Sequence, residues 1–259
     1  MTPEQERRFF ADERSRSAFR QRMLDQIPSW YSPWLHFAGT AGVGVVALAA
    51  AIHGIEQLAW VELVTVPTVW LLSNLAEWHA HRHLLHRRWK PMAVLYDRHT
   101  PEHHRVYRYR DMAIRERKEL RLILIPAMGV LGIVLAAAPG ALLAGVLINA
   151  NVGWLFLAAS ASYVVSYEIT HLCYHLPEDS FIGRRAFIRF MREHHARHHD
   201  PRLMQKWNFN VTVPFGDWVF GTIASDALVE SLSPDEESDR APEGADGAES
   251  QSAAHSTAA

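Results

Sequence analysis

From residue 122 to residue 167 the chain carries 46 consecutive residues without an Asp, Glu, Lys or Arg. As a single helix this run would measure ~69 Å, against ~30 Å of bilayer hydrocarbon. It therefore reads as a hairpin of two apolar helices. Pro139-Gly140 is the strongest turn signal within it and predicts helices over about 120–138 and 143–167; Asn149 and Asn151 offer a weaker alternative turn. A second uncharged run covers 26–55 and predicts a span over about 34–52. Another apolar stretch predicts a span over about 58–76, with Pro67 as a kink site. A water-soluble globule rarely offers such runs, so the expectation is an all-α, four-span membrane domain.

Charge sets the expected orientation. All 26 Lys and Arg lie in 7–22, 82–121, 184–206 or at Arg240. The positive-inside rule then places both termini, the middle loop and every histidine cluster on the cytoplasmic side. Residues 230–259 hold eight acids and one Arg, which leaves the rest of the chain with an excess of basic residues that suits an anionic membrane surface. Three regions follow: a basic amphipathic segment over 1–30, at the membrane face or as a solvated helix; a membrane-embedded domain with a cytosolic cap over 31–226; and an acidic, disordered tail over 227–259. The N-terminal arginines are mixed with acids and precede no short apolar run, unlike a cleavable signal. One cysteine, Cys173, excludes an intramolecular disulfide and CxxC metal or redox chemistry. No feature calls for nucleic acid.

Thirteen of the 16 histidines fall in two windows, 79–104 and 171–199. His36, His53 and His255 lie outside them and are treated as incidental. The first window holds Glu77…His79, His81, His83 and His86, then His99, His103 and His104. The second holds His171 and His175, then His194, His195, His198 and His199. Residues i and i+4 share a helix face, with i+3 and i+5 close by, so each cluster can aim two or three rings at one point. Neutral imidazole suits Fe, Zn and Cu. Eight to ten histidines exceed the needs of one metal, and two metals with four or five nitrogen ligands each would use them. His79/His83 compete with His81/His86 for the register of the first cluster.

On these residues the chain resembles the fatty acid hydroxylase and sterol desaturase superfamily of membrane di-iron enzymes. The resemblance rests on Glu77…His81-Arg-His-Leu-Leu-His86, His99…His103-His104, His171…His175 and His195-x-x-His198-His199, and on the ending over 208–222. The second cluster is HxxxHH, where the family often has HxxHH. The resemblance implies a helical membrane domain with a cytosolic cap over a dimetal site, and O2-dependent oxidation of a lipid C–H bond. The implied metal ligands are His81, His86, His99, His103, His104, His171, His175, His195, His198 and His199. Iron is the expected metal, two ions per chain, with zinc a possible occupant after purification.

Ligating imidazoles need acceptors for their outer N–H groups. Glu77, Glu168, Asp200 and Asp217 are the candidates. Lipid substrate would enter from the bilayer, with Trp70, Tyr163, Tyr167 and Trp154 either lining its path or anchoring the interface. The segment 181–192 alternates apolar residues with Arg, and either packs on the spans or lies among headgroups. A separate electron-transfer protein is expected to supply electrons, with the basic loop 105–118 as its docking candidate or as a lipid-binding loop. A desaturase or a sterol or carotenoid hydroxylase would use the same site. A metal transporter or sensor is the non-enzymatic rival, although transport sites favour the membrane midplane. A zinc hydrolase lacks its HExxH motif.

Overall fold

The computed structural model describes residues 13–232. Among them the structure is helical, with one isolated β-bridge between Arg108 and Asp111. The principal helices are α1 (Glu13–Asp25), α2 (Pro33–His53), α3 (Thr65–Ala80), α4 (Ala127–Leu147), α5 (Ala150–Tyr174) and α6 (Ala186–His198). Three segments are long and apolar enough to cross a membrane: α2, the stretch Arg117–Leu147 that ends in α4, and α5. Of the apolar window in α5, 56% is buried inside the protein, against 17% for the other two. Helix α5 is thus the central post, packed on α2, α3, α4 and α6, while α2 and α4 leave apolar faces outward.

The hairpin turns at 148–149, not at Pro139-Gly140. Pro139 lies inside α4. A proline is tolerated within an apolar helix when its surroundings absorb the lost backbone bond. Asn149 does what Pro139 does not. Its side chain accepts from the Val152 N–H and caps α5. Asn149 and Asn151 also donate to Glu62, and Asn151 exchanges hydrogen bonds with the backbone of Glu56. These amides knit the turn at 148–149 to the turn before Trp60. The arms of the hairpin meet at glycines. A Cβ on Gly153 would stand 2.8 Å from the Ala141 carbonyl oxygen and 3.0 Å from the Gly145 Cα, so this close approach excludes any side chain.

The second expected span is also altered. Pro67 does not kink a long helix; it lies in the first turn of α3, where no N–H is needed. Residues before it form a 3-10 turn, Trp60–Val64. The 16 residues of α3 reach ~24 Å, short of the hydrocarbon thickness.

Helix α1 is held to the protein along one face. Phe19 and Met23 pack against a buried cluster of Val106, Tyr107, Met112, Leu122, Ile123 and Ala196, and Arg20 is 4% exposed. Helix α6 also packs: Met191 and Arg192 are buried, and Arg192 donates to the Tyr174 and Leu176 carbonyls at the end of α5. Phe181, Phe187 and Phe190 of the same segment are exposed, so one face of 181–192 packs on the spans and the other presents apolar rings outward.

Residues from Ser225 form a second unit. Its described part is the helix Asp226–Ser231, capped by the Ser225 hydroxyl accepting from Leu228 N–H. It occupies the start of the segment expected to be a tail. The remainder of that tail and residues 1–12 lie outside the described residues.

Candidate metal centre

The ten histidines proposed from sequence come together as two groups of five. His81, His86, His99, His104 and His198 form the first; His103, His171, His175, His195 and His199 form the second. Within each group one nitrogen per ring lies within 4.8 Å of all the others. None of the ten is more than 9% exposed. His79 and His83 are exposed, stack on each other and belong to neither group. His194 is buried and faces Asp217 instead, at 3.1 Å. His36 pairs with Tyr31 near the start of α2.

Local backbone geometry explains the sorting. The i+5 neighbour expected to lie close by on a helix would in fact stand about 140° away on a regular α-helix, so His81 and His86, five apart, would diverge there. Here 81–85 forms a π-turn, closed by the His86 N–H donating to the His81 carbonyl. The wider turn brings residues i and i+5 onto one face, and their rings stack at 5.1 Å. A second π-turn, His99–His103, does the same for His99 and His104. The extra residue of the HxxxHH cluster is the one the π-turn accommodates. His171/His175 and His195/His199 use ordinary i,i+4 spacing. The doublets 103/104 and 198/199 divide, one ring to each group.

Ring orientation is set by backbone carbonyls. Nδ1–H of His81 donates to the Phe209 carbonyl, that of His198 to Trp207 (2.9 Å), of His199 to Tyr107 (2.9 Å), of His175 to Met112 (2.7 Å) and of His103 to Leu122 (3.0 Å). Thr100 Oγ1 donates to the Leu85 carbonyl and therefore accepts from His86 Nδ1 at 3.2 Å. Each of these bonds leaves Nε2 as a bare lone pair. His86 Nε2 and His198 Nε2 then face each other at 2.8 Å with no proton between them. Nε2 pairs of His81/His99, His99/His104 and His195/His199 lie at 2.9, 3.0 and 3.1 Å. Two nitrogens held ~2.1 Å from one ion at a right angle stand ~3.0 Å apart. In the second group Nε2 of His103, His171 and His175 is buried without any partner. Lone pairs so placed repel one another unless a cation lies among them, and the donor set fits a metal that accepts imidazole.

Burial keeps the rings neutral. It pushes His81 down to about 3 and His103 down to about 4, and holds His86, His99, His104, His175, His195, His198 and His199 well below the ordinary imidazole range. Neutral imidazole is the ligating form. No carboxylate joins either group among the described residues.

The four carboxylates expected to accept from the ligands do not do so. Carbonyls take that place, because the segments 107–122 and 207–209 run alongside the rings. Two of the four act one step further out. Asp217 accepts from the Phe209 and Asn210 N–H groups and from Thr222, and Glu77 accepts from Val211, Thr212 and Tyr163. Together they clamp the segment that carries the Phe209 carbonyl. Glu168 accepts from the Ile125 N–H, and Asp200 pairs with Arg202. Tyr163 and Trp70 lie in packed contacts between α3 and α5. Trp154 stands against Gly54, 17 residues before His171 along α5 and so ~25 Å from that ring. Sequence reasoning missed Asn74, Asn210 and Glu119. Asn74 donates to Tyr163, Thr212 and the Val213 carbonyl, and Asn210 donates back to the Asn74 carbonyl. The Asn208-x-Asn210 repeat was the available signal.

The fatty acid hydroxylase family model matches residues 66–222. That is more than half of the chain and includes all ten histidines: the chain belongs to the fatty acid hydroxylase family, a family of lipid-oxidising enzymes. Its fold is similar to that of a solved structure described as full-length scs7p with only the hydroxylase domain visible, at TM-score 0.51 and 23% identity over 75% of this chain and 67% of that one. No curated protein matches the chain.

Proposed function

We propose that the protein is an O2-dependent membrane hydroxylase that inserts oxygen into a C–H bond of a lipid, a fatty acyl chain in the first instance, with one iron in each histidine group. The observation that carries this reading is the pair of five-imidazole groups with their Nε2 lone pairs converging in a buried site. Iron bound there supplies O2 activation and the oxidising power for C–H cleavage.

The chain's own residues do the rest. Ten neutral imidazoles hold the metals. Carbonyls of Tyr107, Met112, Leu122, Trp207 and Phe209 fix the tautomers. Burial excludes bulk water, which limits side reactions of the oxidant. The outward apolar faces of α2 and α4 let lipid approach from the bilayer. In this reading Trp60–Val64 and α3 together make the fourth crossing, and both termini and the histidine groups face the cytoplasm. Electrons come from a separate redox protein, for which the exposed Arg110, Arg115, Arg117 and Lys118 offer a basic surface. A desaturase, or a hydroxylase of sterols or carotenoids, shares the initial hydrogen removal and remains the alternative outcome.

The test is metal content on detergent-purified protein beside His175→Ala and His199→Ala, followed by mass spectrometry of lipids after incubation under 18O2 with a reductant. About two metals per chain, fewer in both variants, and 18O in a lipid product support the proposal. An 18O-free unsaturated product selects the desaturase. Metal content near zero and unchanged by the substitutions overturns the metal reading altogether.

A further inference from the structure

Each histidine group leans on its own backbone segment, and each segment is locked by a buried carboxylate. For the first group the segment is 207–209, held through Asp217. For the second it is 107–122, whose Tyr107, Met112 and Leu122 carbonyls take the outer N–H groups of His199, His175 and His103. Glu119, 0% exposed, is the lock there. Its Oε1 accepts from the N–H groups of Arg115 (3.1 Å) and Glu116 (3.3 Å), and its Oε2 from the Tyr107 hydroxyl (2.9 Å).

Among the described residues that buried carboxylate has one buried cationic partner, and it comes from outside the family match. Arg20 of α1 donates to Glu119 Oε2 and, at 2.9 Å, to the Ala113 carbonyl, beside Met112. Its guanidinium also lies 5.4 Å from the centre of the Tyr107 ring. One side chain thus touches the segment at both the Tyr107 and Met112 ends. Removing a partner from a buried ion pair leaves the other charge uncompensated, so without Arg20 the Glu119 lock has reason to rearrange. Among the described residues, no hydrogen bond or ion pair of Arg20 reaches 207–209.

We propose that Arg20 is a positioning residue for the second metal site: through Glu119 and Ala113 it fixes the carbonyls that aim His103, His175 and His199, and so governs metal retention in that group and not in the first. The inference rests on the reading that each group holds one metal.

The experiment follows release of metal from the full-length, metal-loaded protein to a chromogenic chelator. Wild type is compared with Arg20→Met, Arg20→Lys and Glu119→Gln. In Arg20→Met one equivalent is expected to leave about 10-fold faster or more, with the other unchanged, the usual scale for losing an outer partner of a ligand. Glu119→Gln is expected to follow it, and Arg20→Lys to restore slow release in part. Site assignment comes from double variants. Added to His86→Ala, Arg20→Met should free the remaining equivalent; added to His175→Ala, it should change nothing further. Loss of both equivalents together in Arg20→Met and Glu119→Gln, or of neither, overturns the role of Arg20. A wild type that binds fewer than two metals overturns the two-metal reading itself, a separate result.

Discussion

The rings of His104 and His199 lie parallel, 4.1 Å apart between centroids and 14° between planes, although they belong to different groups. This contact couples the two groups where their members meet. His171 has no such bridging place; its ring neighbours are His103, His175, His195 and Tyr167. Metal analysis should therefore separate the two positions. His171→Ala is expected to lower content by about one equivalent, and His104→Ala to empty the first group and weaken the second. Equal losses in the two variants would contradict the coupling.

Asp217 offers a stability test. It is fully buried, and it holds two backbone N–H groups, the Thr222 hydroxyl and His194. Asp217→Ala strands all four donors and is expected to cost about 3 kcal/mol. Thermal unfolding of metal-free protein measures this. A change below about 1 kcal/mol would show that water replaces the carboxylate.

The buried histidines give the metal-free protein a pH dependence of definite sign. In the unfolded chain their imidazoles titrate near 6.5. Folding holds His81 near 3 and His103 near 4. Between those values the unfolded state binds more protons, so stability falls as pH falls below about 6.5. Urea midpoints measured in chelator at pH 7.5, 6.5 and 5.5 should drop progressively across the last interval. A flat profile would mean that the rings are hydrated once the metal is gone.

The hairpin makes a contrasting pair of predictions. Gly153→Val places a side chain against the Ala141 carbonyl and the Gly145 Cα, and should destabilise by about 1–3 kcal/mol. Pro139→Ala lies within α4 and should leave the hairpin intact. Thermal stability in detergent distinguishes this from a turn at Pro139, for which the order of the two effects would reverse.

The ligand types were legible because imidazole at helical spacing leaves a mark in the sequence, and so did the runs that became α2, α4 and α5. The sorting of the rings was not. It depends on two π-turns, each adding a backbone step that i,i+4 counting does not represent, so His86 and His104 reach the first group by a geometry the spacing alone does not show. The acceptors were illegible for a different reason. Any residue has a carbonyl, so Phe209, Tyr107 and Met112 carry no side-chain trace of what their oxygens do, whereas Glu77 and Asp217 announce themselves as acceptors. At Pro139 a general preference for turns lost to the capping and cross-linking amides of Asn149 and Asn151.

The doublets His103-His104 and His198-His199 have a further consequence. Among the described residues the two groups share no residue, and no carboxylate joins either. Two peptide bonds bridge them instead, each joining neighbouring Cα atoms at a fixed ~3.8 Å. The main chain is therefore a covalent ruler for where the paired ligands originate. Side-chain rotation can still tilt or swing a ring, but the two origins in each doublet stay a fixed distance apart, and inserting one residue into either doublet would change that distance.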